Sequence, residues 1–285
     1  ALCCLAAHMD EIGFVVTSIE PGGILRVRRS GGLYPWKHGE GPVDIVTNGE
    51  PVRGMVSMGS THTATAENQA VTWQDVRILT GLSPEQLAEK GLRVGAAGVP
   101  IREVRGPFIF GDEADPLVAA WTFDDRMGCV ALLRLLEAIK QESIQPKHPT
   151  LVAFTVQEEV GGNGAKYLCQ QQNPEIFIAI DGAPIPPEAP LSLDGRPALW
   201  SKDRLGVYDQ ALISDFQHAA VQAGTEAQVA AYEHAASDAS LAFYAGGPAR
   251  VACFGHVREN SHGFEVARLS VFDHVLKTLV AFIKS

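Results

Sequence analysis

A chain of 285 residues, 46% hydrophobic and 20% charged, can bury the core of one large or two modest globular domains. Its formal net charge of −10 argues against a nucleic-acid groove or an anionic membrane surface as the main partner. No apolar run reaches the ~18–20 residues that span a bilayer, and the acidic balance suits a cytoplasmic protein, or one that holds cations.

The five cysteines (Cys3, Cys4, Cys129, Cys169 and Cys253) are odd in number and lack CxxC spacing. Each lies in an apolar segment, so they read as reduced core residues, with neither a disulfide frame nor a zinc ribbon. Residues 1–7 read as a buried strand without the basic leader of a signal peptide. A chain seldom opens inside such a strand, so a preceding segment is expected. The strand delivers His8 and Asp10, which are two apart and therefore on one face of extended chain. A metal-bound imidazole commonly gives its other N–H to a carboxylate, a role that His-x-Asp suits.

From Glu11 to about Asp115, short alternating runs (13–18, 24–29, 51–58, 74–79, 92–94 and 106–111) are separated by glycine-rich turns. This is the pattern of a small antiparallel barrel or sandwich. Only residues 83–90 read as a helix there, with Ser83 as cap and Pro84 in the first turn. His38 and His62 read as loop histidines. A second texture starts at Trp121. Met127, Val130, Leu132, Leu133, Leu136 and Ile139 recur at helical spacing. Asp124 and Asp125 thus precede a helix, where one caps or orients and the other faces a site.

The stretch around which the rest is organised is a buried strand, 150–156, followed by Glu158-Glu159, a glycine-rich turn and a helix, 165–171. Two adjacent carboxylates repel each other, and persist where a cation or a shared proton offsets the repulsion. Strand 176–180 ends in Asp181, and a proline-rich loop, 184–197, follows. Then come a strand near 205–208, a helix 209–223, a strand 228–231 and the segment His234 to Asp238. The last strand, 250–254, leads to His256, Arg258 and His262. The final helix carries Leu269, Phe272, Leu276, Leu279 and Ile283 on one face.

Strands alternating with helices imply a largely parallel sheet covered on both sides, with ligands beyond the carboxyl ends of its strands. His8, Glu158, Glu159, Asp181 and His256 or His262 all follow strands. Imidazoles and carboxylates without cysteine make a nitrogen–oxygen site that suits zinc, cobalt or manganese. Two such ions would need a bridging carboxylate and would activate a water, and a metal-free carboxylate could take its proton. Glu158 and Glu159 suit that division, and the residues alone leave open which does which.

Taken together, Ala7-His8-Met9-Asp10-Glu11-Ile12-Gly13-Phe14, Phe123-Asp124-Asp125-Arg126-Met127-Gly128, Gln157-Glu158-Glu159-Val160-Gly161 with Gly164-Ala165, and the later Asp181 and His262 resemble the tetrahedral aminopeptidase family. Its members are glutamyl, lysyl and deblocking aminopeptidases, dinuclear metallopeptidases sometimes labelled endoglucanases. The match runs through nearly the whole chain in order. It implies an α/β, phosphorylase/hydrolase-like fold: a mostly parallel sheet flanked by helices (residues 1–13 and 116–285), with an inserted β-barrel-like oligomerisation domain (14–115). It also implies that Asp124 bridges two divalent ions, His8 and Asp181 completing one site and Glu159 and His262 the other. Glu158 would be the general base, Asp10 would orient His8, Asp125 would be a structural neighbour, and Arg126 would steady the helix start. The implied partners are short peptides and copies of the chain, as dimers or a tetrahedral dodecamer. Three features depart from the family pattern: the opening immediately before the first ligand strand, Ser261 at the spacing from Arg258 where a histidine is frequent, and Asn163 where an arginine is frequent. His256 is the alternative to His262.

The expected activity is removal of amino-terminal residues from peptides, with Glu158 or Asp238 near the free amino group. The rivals are a related dinuclear amidohydrolase acting on acylated or carboxyl-terminal amino acids, and a catalytically silent scaffold on the same fold. An endoglucanase would pair carboxylates too, but needs no histidine ligands.

Overall fold

In the computed structural model, which describes residues 1–60, 62, 70–188 and 190–285, the apolar opening of the chain forms β1 (Cys3–His8), buried at every position. Two units are distinguished: Ala1–Glu11, Pro107–Ser261 and Glu265–Ser285 in the first, Ile12–Gly106 and His262–Phe264 in the second.

The second unit is a closed antiparallel barrel of β2 (Gly13–Ile19), β3 (Leu25–Ser30), β4 (Pro42–Ile45), β5 (Val52–Ser57), β6 (Arg77–Leu79) and β7 (Ala97–Pro100), ordered β2-β3-β6-β5-β4-β7. Alternation on these strands sends Phe14, Val16, Leu25, Val27, Val43, Ile45, Val56 and Ile78 inward to one apolar core. Besides a short helix α1 (Pro35–His38), the unit carries α2 (Pro84–Glu89). The α2 helix starts at a capping box in which the Ser83 hydroxyl accepts from the Gln86 amide and the Gln86 side chain accepts from the Ser83 amide. Residues 92–94, expected as a strand, are not one; β7 follows them instead, and β4 was not anticipated.

In the first unit, β8 (Phe108–Phe110) and β9 (Leu117–Trp121) precede the long helix α3 (Arg126–Gln141). Then come β10 (Thr150–Thr155), α4 (Asn163–Gln172), β11 (Ile176–Ile180), β12 (Ala183–Pro184), β13 (Ala198–Lys202), α5 (Gln210–Gln222), β14 (Gln228–Ala231), α6 (Asp238–Tyr244), β15 (Arg250–Gly255), β16 (Val257–Arg258), β17 (Phe264–Arg268) and α7 (Leu269–Lys284). The main sheet has the order β10-β1-β11-β15-β13-β14. Its first four strands are parallel, and β13 turns antiparallel to β15. The α/β class and the mostly parallel sheet are those expected.

The helices bury faces slightly rotated from the expected ones. On α3 the buried residues are Gly128, Ala131, Leu132 and Leu135, while Val130, Leu133 and Leu136 are exposed. On α7 the buried face runs through Val271, Val275, Thr278, Leu279 and Ile283, and Leu269 is exposed. The strand expected at 205–208 is replaced by β13. There the Asp203 carboxylate accepts from the amides of Leu205 and Gly206, at 2.8 and 3.1 Å, and folds that segment into a turn. All five cysteines are free, and four of them are buried. Among the described residues, no helix is long and apolar enough to cross a membrane.

Candidate active site

Because β10, β1, β11 and β15 run parallel, the residues that follow them emerge on one rim of the sheet. His8 is the last residue of β1 and is 2% exposed. Its backbone N–H donates to Asp125 Oδ2 (3.1 Å), and its Nδ1 lies 3.0 Å from the Asp10 carbonyl oxygen. A carbonyl only accepts, so Nδ1 carries the proton. Nε2 faces Asp124 Oδ1 at 3.0 Å, the side on which a neutral ring would offer its lone pair to a metal ion.

The two aspartates before α3 divide the work expected of them. Asp125, fully buried, accepts from the Gly128 amide (3.0 Å) as N-cap and from the His8 amide, tying α3 to β1. A Cβ on Gly128 would lie 2.4 Å from the Asp125 carboxylate, so glycine is needed there. Asp124 turns towards the histidine, and its own amide donates to Glu265 Oε2 (2.9 Å). The Asp124–Asp125 peptide is cis. Beside it, Arg126 pairs with Glu11 at 2.6 Å and donates to Thr122.

Glu158 and Glu159 ride on the turn between β10 and α4. The Asp10 carboxylate accepts from both of their amides, at 3.2 and 3.3 Å, while lying 3.6 Å from His8 Nδ1. Asp10 therefore holds the turn with its carboxylate and the imidazole with its carbonyl. The turn is closed by Asn163, which donates to the Gln157 side chain (3.0 Å), and by Lys166, which donates to the Gly161 carbonyl (2.7 Å). Ligand atoms of His8, Asp124 and Glu159 lie within 4.8 Å of one another. Glu158 Oε2 lies 4.0 Å from His8 Nε2 and stands outside that trio.

Electrostatics supports a cation here. Burial disfavours a charged His8, but hydrogen bonds to Asp10 and Asp124 outweigh it and hold the ring well above its ordinary value. Burial, reinforced by neighbouring carboxylates, pushes Glu158 and Glu159 well up and Asp181 to about 7. A divalent ion among these groups would offset the crowded negative charge, and the imidazole–carboxylate donors suit zinc, cobalt or manganese.

The remaining expected residues are placed as follows. Asp181 follows β11, 6% exposed, with Oδ1 3.9 Å from Arg258 Nη1. His262 belongs to the second unit, where its Nδ1 lies 3.2 Å from the Gly32 carbonyl oxygen. His256 is buried against the rings of Phe123 and Phe272, at centroid distances of 6.1 and 5.2 Å. Burial there pushes its pKa down to about 3. Asp238 is buried at the start of α6 and accepts from the Thr155 hydroxyl.

Sequence reasoning gave Arg258 and Glu265 no part in the site. Arg258 Nη2 donates to Asp124 Oδ2 at 2.6 Å, and its Nε lies 3.4 Å from Glu265 Oε1. The available signal was an arginine three residues beyond the apolar strand β15, on the rim that carries the acids.

A parallel α/β sheet whose carboxyl rim gathers an imidazole and buried carboxylates is a frame able to hold a divalent ion. Residues 2–277 match the profile of the M42 glutamyl aminopeptidases, and the chain belongs to that family. It is 30% identical over 192 residues to the glutamyl aminopeptidase of Lactococcus lactis subsp. cremoris, covering 63% of this chain and 50% of that one. The chain spans about half the length of several curated relatives it matches. An aminopeptidase of the archaeon Desulfurococcus kamchatkensis shares the fold at a TM-score of 0.84 and 26% identity, over 100% of this chain and 79% of that one. The TET1 peptidase of Pyrococcus horikoshii, which can assemble into a tetrahedron or a large octahedral shell, has a similar fold. Its TM-score is 0.85 at 24% identity, over 99% of this chain and 83% of that one.

Proposed function

We propose that this chain is a metal-dependent aminopeptidase that hydrolyses the amino-terminal peptide bond of short peptides. The observation that carries the reading is the convergence of His8, Asp124 and Glu159 beside a carboxylate, Glu158, that stands outside the trio. Those three would hold a divalent ion: zinc, cobalt or manganese. Asp181 and His262 as ligands, and Asp124 as a bridge to a second ion, enter through the family resemblance alone. When bound, such an ion polarises the scissile carbonyl and acidifies water.

The chain's own residues do the rest. Glu158, as carboxylate, takes a proton from the attacking water while the water oxygen bonds to the scissile carbonyl carbon. It passes that proton to the amine nitrogen as the C–N bond breaks, releasing the first residue as free acid and the shortened peptide as free amine. Burial first, then neighbouring negative charge, raises the proton affinity of Glu158, which suits a group that must both take and return a proton near neutrality. Asp10 is a positioning residue: it holds the amides of Glu158 and Glu159 and the Nδ1 side of His8. Asp125 fixes β1 against the start of α3.

A panel of aminoacyl-nitroanilides set against acyl-amino acids, with wild type and Glu158→Gln, tests the reading. Nitroaniline release from free-amino substrates that disappears in E158Q supports it. Hydrolysis of acylated amino acids alone would move the chain to the amidohydrolase class. Self-assembly is part of the proposal, supported by the assemblies of the Pyrococcus horikoshii relative and by the exposed apolar strand Phe108–Phe110. Light scattering that gives a monomer at all concentrations would remove it. A reducing, cytoplasmic setting rests on the five free thiols.

A further inference from the structure

The two oxygens of Asp124 face different groups. Oδ1 faces His8 Nε2 at 3.0 Å; Oδ2 accepts from Arg258 Nη2 at 2.6 Å, a short charge-assisted bond. An aspartate that bridges two metal ions commits one oxygen to each. Here one oxygen is already committed to a guanidinium, a group that stays protonated throughout the working pH range.

That guanidinium is built in. Arg258 is 3% exposed and lies on β16, which pairs in parallel with β12 so that Arg258 stands opposite Pro184. Gly182 clears the slot: a Cβ there would lie 2.1 Å from Arg258 Nη1. Glu265, wholly buried, holds Nε at 3.4 Å through one oxygen and the Asp124 amide at 2.9 Å through the other. Asp181, expected to complete a metal site with His8, has Oδ1 3.9 Å from Nη1. Among the described residues, the donors that converge are His8, Asp124 and Glu159, and His8 Nε2 faces the Oδ1 side of Asp124. A divalent ion placed on Oδ2 would meet a fixed positive charge at contact distance in a water-poor setting, where like charges repel strongly.

We propose that Arg258 fills the second cation position of this site, so that the chain binds one divalent ion tightly, at His8, Asp124 and Glu159, and not two. The inference rests on the metal-dependent reading above and sharpens it to a count.

The test is metal stoichiometry of the whole chain, stripped with chelator, reloaded with zinc or cobalt, desalted and measured by elemental analysis, with calorimetric titration for the affinities. Wild type should retain one ion per chain, with any second step at least 100-fold weaker, and Arg258→Gln should acquire a second tight ion. Two ions of comparable affinity in wild type would overturn the count and leave the metal reading standing. One ion in wild type and one in a folded R258Q would overturn the assignment to Arg258. No ion with zinc, cobalt or manganese would overturn the metal reading and the inference together. If R258Q does not fold by circular dichroism, the wild-type stoichiometry decides.

Discussion

The barrel and the rim of the parallel sheet use buried side chains in opposite ways. In the barrel, alternating residues send Phe14, Val27, Ile45 and Ile78 into a wholly apolar core, and charges such as Arg53 and Asp44 pair on the outside at 3.0 Å. On the rim, His8, Asp124, Asp125, Asp181, Arg258 and Glu265 are buried together. Burying ionised groups is costly unless each is paired and hydrogen-bonded. The barrel follows the pattern that gives stability; the rim departs from it, and such departures collect where chemistry is done.

The comparison can be broken at either region. Glu158→Gln removes the proposed base and should lower kcat/KM roughly 10²–10⁴-fold, the usual worth of general-base catalysis, with thermal stability little changed. A mutant within tenfold of wild type would remove Glu158 from the mechanism. In the barrel, Leu25→Ala deletes a fully buried side chain and should cost about 2–5 kcal/mol of unfolding free energy in denaturant titrations, as core truncations do. A loss below about 1 kcal/mol would mean the barrel core is less tightly packed than its burial indicates.

His256 gives a smaller effect that depends on pH. Its folded pKa, about 3, lies below the ordinary imidazole value, so the unfolded chain binds the proton more readily. The neutral ring's contribution is therefore fully present above about pH 6.5 and is lost as pH falls towards 3. His256→Leu should flatten the fall in unfolding free energy between pH 6.5 and 4; identical slopes would contradict this. Asp10→Asn should weaken metal retention roughly 10–100-fold by loosening the support of the Glu158–Glu159 turn, measured by competition with a chelating dye. The smallest effect is expected at Ser83→Ala, which removes the α2 cap and should cost about 1 kcal/mol in denaturant midpoint analysis.

Much of the frame was legible because its signals are local. The apolar runs of β10, β11 and β15 ended close to where the structure ends them. The Asp209 cap opened α5, and β14 was read at residues 228–231. The β4 strand escaped because it is only four residues long and begins with proline. The β13 strand escaped because a proline-rich loop precedes it and the Asp203 turn follows it. The α3 and α7 faces shifted because tertiary packing selects which side of a broadly apolar helix is covered. At the site, the gathering of His8, Glu158, Glu159 and Asp181 on one rim was legible from strand order, while Asp124 and the choice of Glu159 as ligand entered through the family resemblance. The partners of Asp10 and Arg258 were not legible, because both lie more than 130 residues away in sequence from residues they bind. No local pattern states which carboxylate a buried arginine will meet.

The most direct test pairs metal content with hydrolysis of an aminoacyl-nitroanilide in wild type, Glu158→Gln and His8→Ala. Retention of the wild-type ion content in E158Q with turnover abolished, and loss of the ion in H8A, are the expected results. Loss of the ion in E158Q, or full turnover in either variant, would contradict a metal held by His8, Asp124 and Glu159 beside a glutamate base.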